Sequence, residues 1–164
     1  MAELTHLDEK LAEVLGLAQA ARLATDTVSD LAREEDLTDL VDALTQMGDD
    51  AEEVRNRCQT VADSREGMKT AINDKARETK AEVHDFMQSY LEDAEALDGL
   101  EFLTMAEAGE MIHWEILATL NQTAQDSDIS QLTDFAVPLQ RGHVESVHEH
   151  ALRLAAEEDP KETD

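Results

Sequence analysis

The sequence predicts an all-α fold, a four-helix bundle of long antiparallel helices with one extra helix. Three observations carry this. Apolar residues recur at alternating spacings of three and four along most of the 164 positions. The chain holds only 6 Gly and 2 Pro, too few to punctuate a strand-and-turn architecture. Aromatic residues make up 3% of the chain, so the core must be built from Leu, Val, Ile, Ala and Met, as long packed helices allow. The length suits one domain, read as 1–158, with a disordered acidic tail over 159–164.

The first helix carries an apolar seam of Leu4, Leu7, Leu11, Val14, Ala18, Ala21, Thr25 and Val28, free of carboxylates. The run Arg33-Glu34-Glu35-Asp36 reads as a break, with Asp36 placed to cap a second helix. That helix follows Leu37, Leu40, Leu44, Met47, Ala51, Val54, Cys58 and Val61, again an apolar seam. A pause at Asp63–Gly67 leads to a third, more charged helix marked by Met68, Ile72, Thr79, Val83, Phe86 and Tyr90, with His84 beside the stripe. Asp98-Gly99 reads as a turn, and the fourth helix is expected from about Leu100 to Thr123. The polar stretch Ala124–Asp128 is short enough to make the fourth and fifth helices antiparallel neighbours. The fifth follows Ile129, Leu132, Ala136, Leu139, Val144, Val147, Ala151 and Leu154. Pro138 is expected to bend it or shift its register, and His143 and His150 fall on a face read as solvated.

The formal net charge is -26, from 39 acidic and 13 basic residues. Self-repulsion on this scale calls for counter-ion screening, as in proteins adapted to high intracellular salt, and a halophilic host is the expectation. Such a surface excludes nucleic acid and anionic membrane as partners. No run of eighteen apolar residues is present to span a membrane. The single cysteine, Cys58, excludes an intrachain disulfide and reads as a small core residue. The first residues lack the basic and apolar regions of a secretory signal. A cytoplasmic location is expected.

Two tetrads carry the functional reading, Glu110-Met111-Ile112-His113 and Glu145-Ser146-Val147-His148. Each places a carboxylate and an imidazole three apart, on one face of a helix. Glu110 and His113 interrupt an apolar seam of Leu103, Ala106, Leu117 and Leu120, where an unpaired carboxylate is costly to bury. Antiparallel pairing of the last two helices brings both tetrads to nearly the same height. Carboxylate with imidazole suits iron, manganese or zinc, and di-iron bundles use Glu-x-x-His on two helices with a Glu on each of the others. A third match, Glu3 to His6, lies at the frayed terminus. The alternative reading is a polar pair that holds helix register through hydrogen bonds.

The segment from Phe102 to Ala155, with His113-Trp114-Glu115-Ile116 and the run into Glu145 and His148, resembles the second helix pair of the ferritin-like superfamily. Its nearest likeness is to the bacterial YciF-type stress proteins. Those carry a similar His-aromatic-Glu-Ile stretch, and the step from Glu115 to Glu145 matches their spacing to the next acidic stretch. The resemblance implies a ferritin-like four-helix bundle, often a homodimer, with a dinuclear carboxylate site. It implies Glu115, Glu145 and His148 as metal ligands, joined by Glu110 and His113, with iron or manganese as the metal and stress-related metal or peroxide handling as the activity. The chain departs from the family in lacking a Glu on the first seam and a Glu-x-x-His on the second. The site is therefore expected to be incomplete or atypical. The rival expectation is a metal-free helical bundle acting as a structural or interaction module.

Overall fold

Five α-helices account for nearly all of residues 3–161, the part of the chain that the computed structural model describes. They are α1 (His6–Glu34), α2 (Thr38–Asp63), α3 (Lys69–Tyr90), α4 (Ala96–Ala124) and α5 (Ser127–Ala155). Among the described residues there is no strand, and no helix is long and apolar enough to cross a membrane. Residues 162–164 of the expected tail lie outside the described part.

Local chemistry sets the helix ends. The Thr5 hydroxyl caps α1 by accepting from the Asp8 backbone N–H, and Asp8 and Glu9 sit favourably in the first turn. Asp36 does not cap α2. It takes a left-handed conformation (φ 59°) that finishes the break, and Leu37 enters the helix without a side-chain cap. The turn expected at Asp98-Gly99 lies a few residues earlier. Glu95 and Asp98 form a reciprocal capping box, and Gly99 is already in the first turn of α4. A Cβ on Gly99 would stand 2.8 Å from Val28 Cγ1, so α1 and α4 close together there. Asp126 caps α5 by accepting from Asp128 and Ile129, and Arg65 reaches its carboxylate at 2.6 Å. α5 runs without interruption through Pro138.

α1, α2, α5 and α4 close a ring in that order, and α3 lies outside it against α1. Cross-helix pairs give the directions. Arg22 meets Asp49, Asp50 meets His143, Arg65 meets Asp126, Glu13 meets His113 and Val28 meets Gly99. Each neighbouring pair in the ring is therefore antiparallel, so α2 and α4 run the same way. α3, parallel to α1 with Gly16 against Ala76 and Thr79, carries the chain back between them.

Inside the ring the apolar core is divided in two. One cluster gathers Leu11, Leu15, Val54, Cys58, Trp114, Leu117 and Ile129. The other gathers Val28, Leu40, Leu44, Leu100, Leu103 and Val147. The four helices pass from one to the other between Ala18 and Ala24, Met47 and Val54, Leu103 and Trp114, and Ala136 and Val147. What fills that middle layer decides what the fold can do.

Candidate functional site

The middle layer is polar. α4 turns Glu107 and Glu110 inward, only 2% and 5% exposed. α5 adds Gln140 and His143, both buried, and α2 adds Asp50. α1 contributes no carboxylate or imidazole at this height, where its buried residues are Ala18, Ala20 and Ala24 with Thr25 beside them.

His143 bridges two helices. Its Nε2 lies 3.1 Å from Asp50 Oδ2 and its Nδ1 3.6 Å from Glu107 Oε2. Gln140 Nε2 donates to the Glu107 carboxylate, Gln46 Nε2 donates to Asp50 at 2.9 Å, and Trp114 Nε1 donates to Glu110 Oε1 at 3.1 Å. Burial alone would lower the His143 imidazole, but the Glu107 and Asp50 carboxylates outweigh it and hold its pKa above the ordinary value. Both ring nitrogens then donate, one toward each acid. Burial, reinforced by the charge of Glu107, pushes Glu110 up to about 8. Burial and the nearby Glu110 likewise raise the Cys58 thiol, which is inert in the core. Two buried carboxyl groups and the half-buried Asp50 thus share this layer with no Lys or Arg among their partners. Protons on His143 and Glu110 supply part of the neutralisation.

The five ligands expected from sequence do not meet. Glu110 alone reaches the polar layer. His113 turns toward α1, its Nδ1 3.0 Å from Glu13 Oε2 and 3.4 Å from Lys10 Nζ. Burial would raise the Glu13 carboxyl, but Lys10 and His113 together hold it below its ordinary value. Glu115 is on the outside, 3.5 Å from Arg141, and Glu145 and His148 are exposed. His143, expected on a solvated face, is 8% exposed, and this reading is corrected. Among the described residues no group of three or more His, Cys, Asp or Glu side chains is placed to hold a metal ion.

The cause is a small rotation of α4. The expected seam ran through Ala106 and His113, whereas the buried one runs Leu100, Leu103, Glu107, Glu110, Trp114, Leu117 and Asn121. The two share every second position. Trp114, fully buried, takes the inward place that the sequence reading assigned to His113, and Glu107 replaces Ala106. A signal was present: the bulkiest apolar side chain of the segment belongs inside, and Glu107 stands seven residues before it on the same face. On α5 the corresponding spacing is Ala136, Gln140, His143 and Val147.

Comparison with family models, with curated proteins and with solved structures finds no match to this chain.

The polar layer makes a pH prediction. Glu110 has its folded pKa raised from 4.5 to about 8, so its contribution to stability is complete below 4.5 and is lost as the pH rises through 8. The raised pKa of His143 acts with the same sign. In chelator-treated protein, urea unfolding is expected to show stability lower by about 1–2 kcal/mol at pH 8 than at pH 6. Trp114, the one tryptophan in the chain, reports the same event through its bond to Glu110. Its emission is expected to shift with a midpoint near 8 in the wild type and to stay flat in Glu110→Gln.

Proposed function

We propose that the chain is a ferritin-like bundle whose polar layer binds one divalent iron or manganese ion through Asp50, Glu107, Glu110 and His143, in stress-related metal or peroxide handling. One observation carries this reading: the buried Glu107 and Glu110 and the half-buried Asp50 are balanced in part by exchangeable protons on Glu110 and His143 rather than by Lys or Arg. A divalent cation replacing the protons of Glu110 and His143 leaves the net charge of the layer unchanged. The donor set, carboxylates with an imidazole, is of the kind iron and manganese accept. The connectivity supports the ferritin-like reading, since a helical bundle with a single long crossover is the arrangement of that superfamily, and α3 carries the crossover here.

A dinuclear site does not fit. Such a site draws carboxylates from all four helices, and α1 offers alanines at this height. A single ion would draw its donors from three helices; these do not converge on one point here, so the His143 ring must turn out from between Asp50 and Glu107 for the ion to bind. Bound there, iron or manganese would supply one-electron chemistry in a layer walled off by two apolar cores. Gln140 and Trp114 orient the Glu107 and Glu110 carboxyls, and His143 keeps Asp50 and Glu107 apart until its proton leaves.

Calorimetric titration with Mn²⁺ at pH 8 tests this. Stoichiometric binding with proton release, weakened at least tenfold in Glu107→Gln but kept in the Glu145→Ala, His148→Ala double variant, is expected. Absence of binding at pH 8, or loss of binding in the double variant, overturns the assignment.

A second reading, a metal-free module that acts by association, is favoured by one feature of α4. Met105, Ile112 and Ile116 form an exposed apolar stripe, 47%, 48% and 38% accessible. On so acidic a molecule this is a charge-free strip along which two copies can meet as a homodimer. Sedimentation equilibrium is expected to give a dimer for the wild type and a monomer for Ile112→Lys. The acidic surface fits a salt-rich cell, and the urea midpoint is expected to rise with KCl well beyond 1 M, past the range in which ordinary screening saturates.

A further inference from the structure

Because α3 packs closely on α1 and reaches α4 through Phe86 and Tyr90 against Phe102, a cleft of about 210 Å³ remains between these three helices. Its walls are apolar, with Leu17, Ala21, Val83, Phe86, Phe102 and Met105 among them. Phe86 and Met105, 52% and 47% exposed, stand at its mouth. Gly109 lines it as well, and a Cβ there would meet nothing within 4 Å. Glu107 and Glu110 form the polar end.

Glu110 is the informative group. It is 95% buried by its 5% exposure, and among the described residues its carboxyl accepts one hydrogen bond, from Trp114 on Oε1. Its second oxygen accepts none, and Glu110 is among the residues that line the cleft. That oxygen is not sealed from solvent, so a ligand that donates to it takes the place of water. The cleft contains no Lys or Arg, and its one basic side chain, His113, is engaged by Glu13. The surroundings favour positive charge over negative, and the net charge of -26 concentrates cations near the mouth.

We propose that this cleft binds a small primary amine with an apolar tail, its ammonium group donating to the free oxygen of Glu110. At about 30 Å³ per water the cleft holds about seven, room for an unbranched tail of about six carbons. An ammonium group has three donors and no acceptor, and its charge draws off the Glu110 proton, so the carboxylate meets it as an acceptor. The tail covers apolar wall that is otherwise wet. This inference shares Glu110 with the metal reading but needs no metal ion, and it is tested with metal removed.

The experiment titrates hexylamine, hexanol and hexanoate into chelator-treated protein at pH 7, read by calorimetry and by Trp114 emission. Saturable binding of hexylamine at least tenfold tighter than hexanol, with hexanoate weaker still, is expected. Gly109→Leu, which grows into open space, should weaken hexylamine binding at least tenfold while its circular dichroism stays helical. Glu110→Gln should bring the amine and the alcohol within threefold of each other. Equal affinity for all three compounds in the wild type, no saturable binding, or full affinity in Gly109→Leu overturns the proposal. A failure to take up Mn²⁺ leaves these titrations unchanged, so the two readings fail separately.

Discussion

His143→Ala is expected to cost about 3 kcal/mol in urea unfolding at pH 7, because removing one member of a buried charged set leaves the rest uncompensated. The imidazole lies between Asp50 and Glu107, and Glu107 is nearly sealed from solvent. Without it Glu107 keeps one side-chain donor, Gln140, and Asp50 keeps Gln46. For a domain of this size the same loss lowers the melting temperature by about 10 °C. His148→Ala, five residues on, is expected to change stability by less than about 0.5 kcal/mol, because an exposed side chain away from any network carries little. The contrast matters for function as well as for stability. If the polar layer is the site, metal uptake follows His143; if the exposed tetrad were the site, it would follow His148. Equal stability loss in the two variants would remove the polar layer from consideration.

The same pair of histidines shows how far the sequence could be read. Helix existence was legible, because apolar spacing survives a rotation of the helix about its axis. The five helices fall where the seams placed them, with ends displaced where caps were mistaken, as at Asp36 and Asp98. Which polar residues face inward was not legible at the same precision. A seam of alternating threes and fours admits two interleaved solutions on α4 that share Leu103, Glu110 and Leu117 and differ in between. The choice was made by burying Trp114, which carries Glu107 inside and sends His113 toward Glu13. On α5 the tetrad Glu145 to His148 looked informative because the spacing resembled a ligand motif. The residues that enter the layer, Gln140 and His143, form no such motif. Asp50 was invisible for a further reason: its role depends on α2 lying beside α5, a contact between elements far apart in the chain.

Gly16→Leu should have an effect of comparable size at the opposite wall of the molecule. A Cβ at this position would stand 2.5 Å from the Ala76 carbonyl oxygen and 2.8 Å from Thr79 Cβ. The first of these is backbone in the middle of α3, which cannot swing aside as a side chain can. α3 must therefore move away from α1 as a body, and overpacking of this kind costs about 3 kcal/mol. The displaced helix is the one that closes the amine cleft through Val83 and Phe86. Hydrogen exchange should accordingly show loss of protection over residues 69–90 with the ring of α1, α2, α4 and α5 still protected, and hexylamine affinity should fall in parallel. Gly109→Ala provides the control on helix propensity alone. Its added Cβ meets nothing within 4 Å, so it should stabilise by about 0.5–1 kcal/mol. If Gly16→Leu were as stable as the wild type, α3 would not be seated on α1 by this close approach. The cleft, whose outer wall is α3 held closely against α1, would then lose its structural basis.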